Sequence, residues 1–239
     1  MTPAISDPVS GKVAKTAGLM FLLSLFVPML NWLFINAKFV VEGNPTETVR
    51  RVLADPQLFR VGLANDILTS VIALVLASTL YLMLVSVQKT WAQVALALKV
   101  TEGVLLAVIA LGNFTALLLV NNPTAPGGAE AGPLQMLVGQ FLNMRMTMAA
   151  IPMLFLGLNF TVFLSLLYQS KYVPRLLAGF GVLAYASILV YALLTLMFPH
   201  AAANLVLQSM AWAPSCVFEL GIGSWLLTKG IRRPGIVEA

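Results

Sequence analysis

Charge is scarce in this chain: only 10% of its 239 residues are Asp, Glu, Lys or Arg. A soluble domain carries roughly one-quarter, so this sequence cannot cover a water-facing surface with polar side chains. Histidine occurs once, at His200, which excludes a multi-histidine metal or haem site on one chain. Cysteine also occurs once, at Cys216 inside an apolar run. It cannot form an intramolecular disulfide and reads as a packed small hydrophobe. A Gly-rich phosphate loop, HExxH, GxSxG and CxxC are all missing. No catalytic residue, metal or cofactor is therefore expected.

What the chain has is apolar length. Hydrophobic residues make up 59%, and the mean hydropathy is +0.92. That exceeds what one core needs, and the simplest solvent for the excess is lipid. Apolar runs long enough to span a bilayer lie at about 17–35, 61–87, 91–120, 137–168, 173–198 and 204–228. Lys12 and Lys15 precede the first run, as in a signal peptide. Its length of ~20 residues is that of a membrane span, and no small-x-small cleavage pattern follows, so it reads as an uncleaved first helix.

The breaks between runs are legible. Gln88-Lys89-Thr90 and Ser170-Lys171-Tyr172 are short links, and NNPTAPGGAEAGP at 121–133 is a Pro- and Gly-rich loop. Pro174 suits the first turn of span five, and Pro199 ends that span. Pro28, Pro152 and Pro214 fall within spans, where kinks are expected and tolerated. TETVRRVLAD at 46–55 is different: Asn44 or Thr46 can cap it, and Val49, Val52 and Leu53 line one face. It predicts a short amphipathic helix at the membrane surface.

The net charge of +5 would suggest nucleic acid in a soluble protein. Here the basic residues sit in the short gaps and act as topology signals, so no nucleic-acid partner is expected. Lys12, Lys15, Lys89, Lys171, Arg175, Lys229, Arg232 and Arg233 fall on one side. Lys38, Arg50, Arg51 and Arg60 fall on the other, beside Glu42, Glu47 and Asp55. The more basic side belongs inside. The expected fold is an all-α polytopic bundle of six transmembrane helices in one transmembrane domain, N-in and C-in. The amphipathic helix then lies in the first periplasmic loop, and the location is a bacterial inner membrane.

Five charged residues remain within spans: Asp66, Lys99, Glu102, Arg145 and Glu219. Each is costly in hydrocarbon, at least ~2.5 kcal/mol on insertion scales, and should face the interior and be paired. Depth along the spans predicts an Asp66–Arg145 pair in the outer leaflet. It also predicts an inner cluster in which Lys99 bridges Glu102 and Glu219, with one excess acid able to carry a proton. Asn113 lies three helical turns from Glu102 on the same stripe. Arg145, Pro152 and Asn159 recur every seven residues, and Gln208, Trp212, Ser215 and Glu219 run down span six. The functional reading is a polar cavity between helices three, four and six, with Lys99, Glu102, Glu219, Asn113, Asn159 and Ser215 contacting a ligand. The packing reading is a set of interhelical hydrogen bonds, each worth ~0.6 kcal/mol. Packing is the stronger reading for the asparagines and Gln208. Ser70, Ala73 and Ala77 form a small-residue stripe for close helix contact. Trp32, Trp91, Trp225 and Tyr172 fit interfacial belts.

Several segments together resemble a known family. They are KTAGLMFLLSLFVP (15–28), LFRVGLANDIL (58–68), ALKVTEGVLLA (97–107), LGLNFTVFLSLLYQSKYVPRLLAGFGVLAY (156–185) and PSCVFELGIGSWLLTKGI (214–231). In this order they resemble the bacterial family called domain of unknown function 4386 (DUF4386). The resemblance implies a multi-pass membrane architecture, with Arg60, Asp66, Lys99, Glu102, Pro174, Arg175 and Glu219 as family positions. Lys99 stands where the family suggests arginine, and Asn159 where members often have histidine. The family carries no assigned activity, so the resemblance implies none.

Three functions stay open. The first is a binding or transport-related protein with membrane lipid as partner, holding a small-molecule or lipid-like ligand by Glu102 and Glu219 with Lys99 as counter-ion. The second is a membrane enzyme using Glu102 or Glu219 as general acid or base. The third is an accessory protein whose charges only hold the bundle. The topology is tested by a reporter enzyme fused to the C-terminus: cytoplasmic activity is expected, and periplasmic activity overturns the orientation.

Overall fold

In hydrocarbon every backbone N–H must find its partner within the protein, which leaves helices as the natural way across. A computed structural model describes residues 11–41, 43–121, 131–144 and 148–231, and among these it is helical with no strand. Six of its helices are long and apolar enough to cross a membrane, as a multi-pass membrane protein requires.

The first span, Gly11–Phe39, starts as α1 (Gly11–Asn31), passes through a π-helical turn (Trp32–Asn36) and ends in one α-turn, Ala37–Phe39. The short helix α2 (Pro45–Ala54) follows, then the spans α3 (Pro56–Leu84) and α4 (Lys89–Val120). Next come α5 (Ala131–Asn143) and the spans α6 (Ala150–Ser170) and α7 (Arg175–Met197). The short α8 (Pro199–Ala202) leads into the last span, α9 (Leu205–Thr228).

The spans close into a ring in chain order. Helix α1 packs on α3, α3 on α4, α4 on α6, α6 on α7, α7 on α9, and α9 returns to α1. Large side chains fill the middle: Phe21, Leu76, Leu80, Phe163, Tyr185 and Phe218 are each under 2% exposed. The outside stays apolar, with Leu176 88%, Leu183 71% and Leu205 73% exposed, as lipid contact demands. Where the ring closes, α1 and α9 touch backbone to backbone. A Cβ on Gly18 would lie 2.8 Å from the Gly223 carbonyl oxygen, so this seam tolerates no side chain.

The segment between the first two spans is helical over Pro45–Ala54, with Asn44 as its cap: the Glu47 N–H donates to Asn44 Oδ1 at 3.1 Å. Its Val49 and Val52 are buried with Phe39, Phe59, Val138 and Leu142 in a second core at this end of the bundle. The apolar face of α2 is thus covered by protein. Helix α3 starts earlier than the apolar run suggests, because Asp55 caps it by accepting from the Leu58 N–H at 3.0 Å.

The fourth apolar run, expected as one span over 137–168, is divided. Helix α5 ends at Asn143 and the crossing helix α6 begins at Ala150. Asn143 instead fastens the end of α5 to the capping layer. Thr48 donates to its Oδ1 at 2.7 Å, and its Nδ2 donates to the Val41 carbonyl at 3.0 Å. Helix α5 also lies so close to α2 that a Cβ on Gly139 would collide with the Pro45 carbonyl. Pro152 sits in the first turn of α6, and Trp225, near the end of α9, is partly buried against the core.

On α2, Arg50 grips the Glu47 carboxylate with two bonds at 2.6 and 2.7 Å, and Arg51 adds a third at 3.0 Å. The Arg50 bond, then the Arg51 bond, holds the Glu47 carboxyl down from 4.5 to about 2. Unfolding releases Glu47 to its ordinary value, so protonation favours the open segment. The contribution is full above pH 4.5 and vanishes as pH falls towards 2. Amide hydrogen exchange in α2 is expected to speed up over that window, and Glu47→Gln is expected to remove the dependence.

Candidate functional site

Lys99 and Glu102 are three residues apart on α4 and so lie on adjoining faces of one turn. Both point into the ring, 3% and 4% exposed. The Lys99 ammonium donates to Glu102 Oε1 at 2.8 Å and to Oε2 at 2.9 Å. Asn159 of α6, fully buried, donates to Glu102 Oε2 at 2.7 Å. The ammonium also sits 4.8 Å from the centroid of the Phe160 ring, a cation–π contact strengthened by desolvation. One carboxylate thus receives two donors, and the buried cation has both a counter-ion and a π-face.

Glu219 of α9 is half-buried and belongs to a second group. Its Oε1 accepts from the Tyr185 hydroxyl of α7, and its Oε2 accepts from the Ser24 hydroxyl of α1 at 3.2 Å. Tyr185 stacks on Phe160 with centroids 4.2 Å apart. Phe218 meets Tyr185 and Phe21 edge-on. Phe160 therefore stands between the groups, with the Lys99 ammonium against it and Tyr185 stacked on it.

This differs from a lysine bridging two carboxylates. Among the described residues the only ion pair of Lys99 is with Glu102, and Glu219 is held by hydroxyls. Lys99 reaches a partner one turn along its own helix with little loss of side-chain freedom, while the Phe160 ring occupies the space beside it.

The other candidates are spread along the bundle. Asn113 is 2% exposed, but eleven residues along α4 carry it ~16 Å from Glu102. It lines a small cavity beneath α2 with Asn36, Thr48 and Phe59, and its Nδ2 has no partner among the described residues. Ser215 turns onto its own helix, donating to the Trp212 carbonyl at 2.8 Å. Asp66 accepts from Asn31 Nδ2 at 2.8 Å. Arg145, its expected partner, lies outside the described residues.

Sequence reasoning missed Ser24, Asn31, Phe160 and Tyr185, so it left helices one and five out of the site. The available signal was positional: Ser24 and Asn31 are seven residues apart, as are Pro152 and Asn159. Two prolines add a mechanical feature. Pro28 in α1 and Pro214 in α9 lie inside their helices, each lacking the N–H that would close a helical bond. They sit four residues beyond Ser24 and five before Glu219.

A family model described as Domain of unknown function (DUF4386) matches residues 16–230. The chain belongs to the DUF4386 family. No curated protein and no solved structure matches it. In this DUF4386 chain the matched region contains both polar groups, from Ser24 to Glu219.

Removing one partner of a buried pair strands the other charge, at a cost of about 3–5 kcal/mol. Lys99→Met is therefore expected to lower thermal stability in detergent sharply. Lys99→Arg is expected to melt near the parent, because a guanidinium can bond both Glu102 oxygens. If Lys99→Met melts like the parent, the pair does not hold the ring.

Proposed function

We propose that this protein is a multi-pass membrane protein that binds a small or lipid-like ligand, with Glu219 as the group that meets it. One observation carries the reading: Glu219 is hydrogen-bonded by two hydroxyls and forms no ion pair among the described residues. It is also the half-buried acid, whereas Glu102 is sealed. A carboxylate held only by neutral hydroxyls suits a ligand bearing a hydrogen-bond donor or a positive charge, which replaces the Ser24 or Tyr185 hydroxyl. The Lys99–Glu102–Asn159 group then sets the position of Phe160 and, through the stack, of Tyr185. The proline breaks in α1 and α9 give the two helices around Glu219 room to part. Such a protein sits in a bacterial inner membrane with both termini inside, so that α2 and α5 cover its periplasmic end. This rests on the basic residues Lys89, Lys171, Arg175 and Lys229 at the opposite end.

The accessory reading has its own support, because the rings of Phe21, Phe160, Tyr185 and Phe218 fill the middle of the bundle. Native mass spectrometry of protein purified in mild detergent separates the two. A co-purifying lipid or metabolite is expected on the parent and absent from Glu219→Gln, with the two proteins melting alike. Retention of every bound species by both removes Glu219 from the site, and a bare parent supports the accessory role.

A further inference from the structure

A second site lies on the outside of the ring, away from both carboxylates. Between the start of α4 and the second half of α6 is a groove of about 200 Å³, lined by Gln88, Trp91, Thr161, Ser165, Leu166 and Gln169, with Val162 beside them. Its walls carry amides and hydroxyls, with no charge, and an exposed indole at the rim.

Thr161 makes this groove more than a surface irregularity. In the hydrocarbon region a threonine hydroxyl normally donates to the carbonyl four residues back. Thr16, Thr69, Thr101, Thr115, Thr195 and Thr228 all do so here, at 2.8–3.0 Å. Thr161 does not: its Oγ1 is buried and has no partner among the described residues. The neighbouring Ser165 hydroxyl is committed to the Thr161 carbonyl at 2.7 Å. A buried hydroxyl left unbonded costs ~1–3 kcal/mol, and this one belongs to a residue that lines the groove, so a turn about its Cα–Cβ bond presents it to an acceptor there.

Depth identifies the occupant. Gln169 is at the end of α6 and Thr161 is eight residues before it, so the groove runs ~12 Å from the helix end into the apolar zone. A molecule that is polar at the rim and still presents an acceptor at Thr161 is a membrane lipid with an ester-linked backbone. The amides of Gln88 and Gln169 at the rim match hydroxyl groups. Lys89 and Lys171, both exposed, follow these glutamines by one and two residues and favour an anionic phosphate. Val162, Leu166 and Trp91 offer apolar surface to the chains.

We propose that this groove binds one glycerophospholipid with an anionic phosphate and a hydroxylated headgroup, the Thr161 hydroxyl donating to an ester carbonyl and Gln88 and Gln169 bonding the head. The site is separate from Glu219 and stands whether or not that residue meets a ligand.

The test is lipid binding by the full chain in detergent, read by native mass spectrometry. Phosphatidylglycerol and phosphatidylcholine are offered in competition, with soluble glycerol 3-phosphate as a third arm. Phosphatidylglycerol adducts are expected to dominate. Thr161→Val, which keeps the shape, is expected to weaken them roughly fivefold to tenfold, the loss of one hydrogen bond. Thr161→Ser is expected to restore them. Unaltered melting temperatures show that the variants fold. Equal adducts on parent and Thr161→Val, or equal uptake of the two lipids, overturn the proposal. Displacement by glycerol 3-phosphate overturns the lipid assignment in favour of a free phosphate ester.

Discussion

An ammonium and a carboxylate sit 2.8 Å apart on α4 with almost no solvent contact. Neither charge tolerates lipid alone, so the pair dictates which side of α4 faces inwards. The opposite side is then fixed as well, and it is apolar: Val104, Val108 and Leu111 are 58%, 59% and 64% exposed. The second donor on Glu102 comes from Asn159, which sets the rotation of α6. The next residue, Phe160, stacks on Tyr185 of α7. Tyr185 bonds Glu219 of α9, and Glu219 reaches Ser24 of α1. Five of the six spans are thus oriented by one succession of polar and aromatic contacts, and α3 is tied to α1 separately, through Asn31 donating to Asp66.

A ring built this way divides its labour. In the sealed pair each charge answers the other, and removing either member is more damaging than never having had it. The half-buried acid on the far side of the stack is hydrogen-bonded by hydroxyls and forms no ion pair among the described residues, which leaves it able to exchange them. The ends of the bundle are treated differently. At one end α2 and α5 form a lid with its own small core, while the other end, among the described residues, has short links and exposed basic side chains.

Much of this was legible in the sequence. The span count follows from apolar length, and the inward direction of Lys99 and Glu102 follows from the cost of charge in lipid. Other features were hidden for identifiable reasons. The run over 137–168 has no compositional break, so hydropathy alone cannot show that the chain stops at Asn143 and crosses from Ala150. Ser24 and Tyr185 are ordinary in apolar helices, and only their meeting at Glu219 gives them meaning. Serine also bonds its own helix readily, which is why Ser215, beside Glu219 on the same stripe, turns away from it. The Lys99 bridge failed because helical spacing measures distance along a helix and says nothing about an aromatic ring inserted across it.

The bare seam between Gly18 and Gly223 joins the first helix to the last. Synthesis delivers α1 to the membrane long before α9 exists, and the hydroxyl of Ser24 waits 195 residues for its acid. Sealing the cylinder is accordingly a late, long-range event with a large loop-closure entropy. Until then the nascent protein exposes a strip of naked backbone to the bilayer, which marks an unfinished molecule.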